Sequence, residues 1–431
     1  MPLKQIYGCL LTIIFLILSL QFASAQNNND DNFITDFLNQ LLGTNSPSPL
    51  QKRIESQPDQ SLLIGKDAET RLQYAIKKYE TIVKKGGWKE IKLNYPLQLG
   101  NKDSKIPKIR ERLIASGDLS NKTSIYSEEF NQAVHEALVQ FQERHGLRNK
   151  GILGKQTIAA LNVKAEVRLN QLRDNLARMQ QLAQIESKDN AVVVNIPGYE
   201  LYAYNKGRVE MTSKVIVGRF SRQTPTIEAQ IVGVDFLPTW RVPTSIAKRD
   251  LIPHIIKDPT YLNKENFKLV RLSDGVELNV QSINWHDLDL KKVQLQQEPG
   301  QNNALGLIRI NMPNTHIVYL HDTPLKKLFN NTSRGFSSGC IRVQNIKELA
   351  SWLLSTKSGW DKNRTEATLL QGKPYSKPLE KNIPIYLIYL TSWVAPDGTV
   401  NFREDIYKKD NVSIYAQQYM KQKLPIQNFA P

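Results

Sequence analysis

Two stretches decide the fold and carry most of the chemistry of this sequence: Thr315-His316-Ile317-Val318-Tyr319-Leu320-His321 and Ser337-Ser338-Gly339-Cys340-Ile341-Arg342-Val343. The first alternates like a strand, so Tyr319 and His321 face one side and His316 the other. Cys340 follows His321 by nineteen residues. A glycine before the cysteine lets the backbone come close to a bound molecule. Arg342 lowers a thiol pKa if it lies nearby, and its fork suits a carboxylate. A thiol needs a base to become a good nucleophile, and imidazole is the usual one. His321 and Cys340 therefore form a candidate Cys–His pair. A buried structural thiol beside a core histidine fits the spacing as well, and spacing does not choose between them.

Working outward, no metal site is expected. The histidines have no ligand spacing with the cysteine, and H-E-x-x-H is absent. The order also matters, since papain-like cysteine peptidases place Cys before His and here His comes first. The 431 residues are 40% apolar and 23% charged, which excludes a disordered polymer, a collagen and a polytopic membrane protein. The net charge of +16 favours anionic partners without choosing one.

Residues 1–25 read as a cleavable signal peptide: Lys4, an apolar run from Cys9 to Phe22, then Ala23-Ser24-Ala25. The alternative is a retained anchor, but the run is short for a span and the small-x-small site follows it directly. Cleavage removes Cys9 and leaves Cys340 as the one thiol, so no internal disulfide forms and a reactive role is invited. Export also makes nucleic acid a poor partner, and no stable membrane span remains.

Residues 26–63 read as a flexible linker, with a short helix around 33–42. Residues 64–97 carry a scaffold helix, with Leu72, Ile76, Tyr79 and Val83 at helical spacing. Residues 98–163 show a three-helix pattern. Ile106, Ile109 and Leu113 form the first stripe, Phe130, Val134, Leu138 and Phe141 the second, and Ile158 and Leu161 the third. Another scaffold helix occupies 164–189. Residues 190–395 are rich in short β runs, including Thr315–Leu320, and 250–305 interrupt them with a long charged segment of the kind that forms a lid or binding loop. Residues 396–431 are a C-terminal extension.

The motif His321-Asp322-Thr323-Pro324 through Ser337-Ser338-Gly339-Cys340-Ile341-Arg342-Val343 resembles that of the L,D-transpeptidases, cysteine enzymes that cross-link bacterial peptidoglycan. Pro238-Thr239-Trp240-Arg241-Val242-Pro243 and Glu298-Pro299-Gly300 with Asn303-Ala304-Leu305-Gly306 resemble further motifs of that family, and Tyr386-Leu387-Ile388-Tyr389-Leu390-Thr391 with Asp397-Gly398-Thr399-Val400 resemble the C-terminal part of its large periplasmic Gram-negative branch. Many members have His where Ser338 stands; that branch resembles the S-S-G-C form. Gly117-Asp118-Leu119, Phe141-Gln142 with His145-Gly146-Leu147, and Gly151-x-Leu153-Gly154 resemble a peptidoglycan-binding domain, in which Phe141 reads as core and His145 as a helix-end residue.

The resemblance implies an α+β multidomain protein. It has a mainly β, sandwich-like catalytic domain with a capping insertion, a three-helix peptidoglycan-binding lobe and a flanking helical scaffold. It implies Cys340 as nucleophile, His321 as general base and the Asp322 backbone as orienter of His321. The Gly339 backbone would hold the oxyanion with support from Tyr319, and Arg342, Ser338 and Trp240 would contact substrate. No cofactor or metal is implied. Donor and acceptor are peptidoglycan stem peptides in the periplasm, with wall synthases as possible partners. The outcome is a 3→3 cross-link; hydrolysis of the same acyl-enzyme, its transfer to an envelope protein, or non-catalytic wall binding are the alternatives.

Overall fold

The computed structural model describes residues 63–64, 66–120, 124–180, 182, 190–355 and 359–410. The signal-peptide and linker expectations, the helix around 33–42, and the end of the C-terminal extension lie outside them. No helix among the described residues is long and apolar enough to cross a membrane.

Helix α1 (Lys66–Lys84) buries Leu72, Ile76 and Tyr79, the stripe read from the sequence. Helices α2 (Ile106–Ser116), α3 (Gln132–Arg144) and α4 (Lys155–Leu161) share one core of Ile106, Ile109, Leu113, Phe130, Val134, Leu138, Phe141 and Leu161. The Asn131 side chain caps α3 by accepting from the Val134 N–H at 3.3 Å. Helix α5 (Ala165–Gln180) then packs against α1.

Beyond residue 190 the chain is mainly β, so the architecture is α+β as expected. The strands are β1 (Asn190–Asn195), β2 (Glu200–Asn205), β3 (Arg208–Gly218), β4 (Ile227–Phe236), β5 (Trp240–Arg241), β6 (Phe267–Arg271), β7 (Val293–Gln297), β8 (Ile308–Asn311), β9 (Leu320–His321), β10 (Gly335–Ser337), β11 (Ile341–Val343), β12 (Tyr375–Ile388), β13 (Ser392–Val394) and β14 (Val400–Phe402). The main sheet runs β10-β3-β11-β9-β8-β4-β12-β1-β2, and β2 also pairs with β3, so the sheet closes on itself. Strand β3 makes the closure because it is long: its first part pairs with β2 and its last residues pair with β11 and β10. Alternate Val, Ile and Leu side chains fill the interior together with Ile346, Leu349, Ala350 and Leu353 of helix α6 (Ile346–Ser355).

Strands β5, β7 and β6 form a separate sheet. With the helical run 244–257 they enclose their own core, which includes Trp240, Val242, Ile255, Leu269, Leu295 and Leu305. This subdomain begins at Trp240.

The strand expected over Thr315–Leu320 is reduced to β9. The Asn314 side chain captures the chain first: its Oδ1 accepts from the His316 and Val318 N–H groups, and its Nδ2 donates to the Val318 carbonyl at 2.7 Å. Ile317 is thereby held at φ 55°, where a β-branched residue is strained.

A buried seam joins the three-helix lobe to the β unit. Arg144 donates to both carboxylate oxygens of Asp118 at 2.6 Å and to the Val400 carbonyl at 3.0 Å. Arg403 returns a bond to the Arg144 carbonyl at 3.0 Å. His145 stacks on Phe141, with centroids 3.8 Å apart, and on Phe402 at 5.5 Å. Burial, then Arg144 and Arg168, holds its pKa well below the ordinary value, so the ring is neutral. His145 is thus a packed residue at the end of α3. Because Asp118 is buried against Arg144, Asp118→Ala strands a guanidinium; the expected loss of stability is about 3–5 kcal/mol in denaturant titration, and a loss below about 1 kcal/mol would show that the seam does not hold the lobe.

Candidate active site

The site grows from one row of residues across the main sheet. Asp235 lies opposite Ser376 on β12 and Arg309 on β8; Arg309 lies opposite His321 on β9; His321 lies opposite Arg342 on β11. Directly opposed residues share a face, so the row reads Ser376, Asp235, Arg309, His321, Arg342. Asp235 takes a bond from Ser376 at 2.7 Å and an ion pair from Arg309 at 2.6 Å. The Arg342 side chain has no hydrogen bond or ion pair among the described residues, and its Nε is buried. Burial and then the nearby Arg219 charge lower its pKa.

His321 sits between the two arginines. Burial, then Arg342, pushes its pKa down to about 3; Arg309 adds to this and the Asp322 backbone opposes it. The ring is neutral, and its buried Nδ1 has no hydrogen-bond partner. Asp322 is fixed by its side chain, which accepts from the Leu307 N–H at 3.0 Å and pairs with Lys326. Gly306 is required there: it has φ 60°, and a Cβ would lie 2.5 Å from the Asp322 side chain. The N-A-L-G motif thus serves the residue after His321.

Cys340 ends the turn between β10 and β11, and the Ile341 N–H donates to the Tyr319 carbonyl at 3.0 Å. The turn is stapled by Ser337, whose Oγ donates to the Cys340 carbonyl at 2.5 Å and accepts from the Gly339 N–H at 3.1 Å. Gly339 has φ 118°, a conformation that favours glycine. Its N–H is therefore occupied, whereas no bond joins the Cys340 N–H to another described residue. The Gly339 carbonyl accepts from Thr224 Oγ1 at 2.8 Å, and Ser338 Oγ accepts from Arg222 at 2.8 Å.

The thiol is half-buried and points to the Ile317 carbonyl, 3.9 Å from Sγ; no hydrogen bond joins it to His321. Burial pushes its pKa up, against the pull of Tyr319, Arg342 and Arg309. Tyr319 packs edge-on to His321, centroids 5.7 Å apart, under the Arg309 guanidinium. Burial, then the adjacent Cys340, raises the Tyr319 pKa, so its hydroxyl stays protonated. The indole Nε1 of Trp240 is buried and unpartnered, near enough to Tyr319 to oppose that rise.

The structure thus gathers Tyr319, Trp240, Arg342 and Ser338 around Cys340, with His321 in the adjacent row. Arg309, Asp235, Arg222, Thr224 and Ser337 escaped the sequence reading. Arg309 left a signal, being a charge inside the apolar run Leu307-Ile308-Arg309-Ile310. No group of residues able to hold a metal ion occurs among the described residues.

A protein-family model described as "L,D-transpeptidase catalytic domain" matches residues 189–374, and one described as "Putative peptidoglycan binding domain" matches 102–161. A curated Haemophilus influenzae protein named "Putative L,D-transpeptidase" is 36% identical over 231 residues, 54% of this chain and 47% of that protein. The chain therefore spans about half the length of the curated relative it matches. Among solved structures, an L,D-transpeptidase from Mycobacterium smegmatis is 14% identical with TM-score 0.24, covering 46% of this chain and 58% of that one. One from Stackebrandtia nassauensis is 12% identical with TM-score 0.26, covering 68% and 94%. Superpositions that weak bear on neither substrate nor chemistry. Residues 189–374 thus match an L,D-transpeptidase catalytic domain, and residues 102–161, ahead of them, match a peptidoglycan-binding domain.

Proposed function

We propose that the chain is a periplasmic L,D-transpeptidase that forms 3→3 peptidoglycan cross-links through a thioester on Cys340. The observation that carries this is the half-buried thiol beside a protonated Tyr319 and a half-buried Arg342 whose Nε has no partner. A guanidinium whose buried Nε has no partner suits an anionic ligand. A stem-peptide carboxylate supplies one.

Sγ of Cys340 attacks the carbonyl between the third residue of a tetrapeptide stem and its terminal D-alanine. His321, neutral, takes the thiol proton and returns it to the D-alanine nitrogen as that C–N bond breaks. This needs the thiol to turn from the Ile317 carbonyl toward the imidazole, a side-chain rotation made once substrate is seated. The side-chain amine of a second stem then attacks the thioester; His321 accepts its proton and the thiol is regenerated. The Cys340 N–H and the Tyr319 hydroxyl are the donors free to hold the oxyanion, and Gly339 joins them if its N–H leaves Ser337. Trp240 contributes an unpartnered N–H at the wall toward the 240–305 subdomain. That subdomain acts as the cap, and the helical lobe binds wall polymer.

Incubated with disaccharide-tetrapeptide, the protein is expected to yield 3→3 dimers, and Cys340→Ser to yield none. Tripeptide without dimer would identify a carboxypeptidase instead.

The two pKa directions give a second prediction. A depressed histidine and a raised thiol make the resting pair neutral, with no preformed thiolate. Iodoacetamide alkylation is expected to rise continuously with pH between about pH 5 and about pH 8, and the base form of His321 is present throughout. A rate plateau at neutral pH, the mark of a thiolate–imidazolium pair, would contradict this.

A further inference from the structure

Ser338 stands beside the nucleophile and is held by a guanidinium from another part of the fold. Arg222 closes the single turn Phe220–Arg222 that follows β3. Its Nη1 donates to Ser338 Oγ at 2.8 Å. The same guanidinium grips both carboxylate oxygens of Asp250, at 2.5 and 2.8 Å. Asp250 does not belong to the main sheet. It lies in the helical run 244–257 of the 240–305 subdomain, next to Leu251 and Ile252 of that subdomain's own core.

The turn is also tied to the nucleophile loop at a second point. Thr224 Oγ1 donates to the Gly339 carbonyl at 2.8 Å and accepts from the Gly218 N–H at 2.9 Å. Behind it, the Tyr407 hydroxyl donates to the Gly218 carbonyl at 2.6 Å and accepts from the Thr224 N–H at 3.1 Å. Segment 218–224 is therefore rigidly backed, and Arg222 is its one side chain that reaches both Ser338 and the subdomain.

We propose that Arg222 is a positioning residue for the nucleophile loop, and that its ion pair with Asp250 transmits the position of the 240–305 subdomain to Cys340. The proposal rests on the transpeptidase reading for its substrate but not for its geometry. A guanidinium binds a carboxylate with a fixed planar fork, so it cannot follow a displaced Asp250 and keep its bond to Ser338. When the subdomain sits as it does here, Arg222 fixes Ser338, and with it the Gly339–Cys340 peptide. When the subdomain swings away, the bond to Ser338 is lost and the Gly339–Cys340 peptide that carries the thiol is held less firmly. Misplacement of a reacting group by about 1 Å costs up to about a hundred-fold in rate. The pair stays ionised in mild acid, because the Arg222 bonds hold Asp250 below the ordinary carboxylate range.

The test uses the full chain and the variants Arg222→Gln, Arg222→Lys, Asp250→Asn and the double Arg222→Gln/Asp250→Asn. Two rates are read: acylation by a tetrapeptide donor followed by intact mass, and alkylation of Cys340 by iodoacetamide. Arg222→Gln is expected to lower the saturating acylation rate about ten-fold or more, with KM changed less than about two-fold. Arg222→Lys, which keeps the charge but not the fork, is expected to recover part of that loss. Asp250→Asn is expected to lose at least about three-fold, and the double variant to be no worse than Arg222→Gln alone. Losses that multiply in the double variant, or an Arg222→Gln rate within about two-fold of wild type, would overturn the proposal. If Arg222→Gln does not fold, Asp250→Asn at its partly exposed site carries the same test, and a rate within about two-fold of wild type overturns it. If wild type takes no acyl group, the transpeptidase reading fails. The alkylation arm still decides: a slower Arg222→Gln supports the positioning role, and equal rates remove it.

Discussion

The register between β8, β9 and β11 is the constraint on which the rest of the site depends. It sets Arg309 and Arg342 on either side of His321 and puts Cys340 one residue before the paired Ile341. Everything electrostatic follows from that row. Asp235 neutralises one arginine, the other is left unpaired, and the imidazole between them is kept neutral by burial and like charge. A slip of one residue in β9 would turn His321 to the sheet's other face, away from Arg309 and Arg342. Strand β9 is only two residues long, so its register is enforced by its neighbours and by the Asn314 turn and Asp322 anchors at its ends.

The helical part is built into the same body. Arg144, Asp118 and Arg403 fasten α3 to β14, while Gln171 and Asn175 of α5 bond Thr391. Arg178 pairs with Asp410 and reaches the Tyr389 carbonyl. Tyr389 in turn accepts from the Tyr407 N–H, and Tyr407 supports the turn behind Gly339. A continuous polar chain thus runs from the lobe's scaffold helix to the nucleophile loop. Buried networks of this kind rigidify when every member is satisfied.

The helices were legible because their apolar spacing is regular: Leu72, Ile76 and Tyr79, or Val134, Leu138 and Phe141, are buried as the period requires. The short strands were legible as alternation, except over Thr315–Val318, where the Asn314 side chain outcompetes strand pairing. The Ser337–Val343 motif was legible through the family resemblance that it carries, since spacing alone did not choose between a reactive and a structural thiol. The supporting residues were not legible. Arg309, Asp235, Arg222 and Thr224 act across strands or between subdomains, and a single sequence does not reveal which strands are neighbours. The subdomain boundary was equally hidden, since Trp240 looks like the end of a strand and becomes part of a separate core only once β7 folds beside it.

The most direct measurement is intact-mass spectrometry of the protein mixed with a tetrapeptide-stem donor. The account predicts that the wild-type chain gains the mass of the donor less its terminal D-alanine, that hydroxylamine removes the adduct as expected of a thioester, and that Cys340→Ala gains nothing. An unmodified wild-type chain that still produces 3→3 dimers, or an adduct that persists in Cys340→Ala, would contradict it.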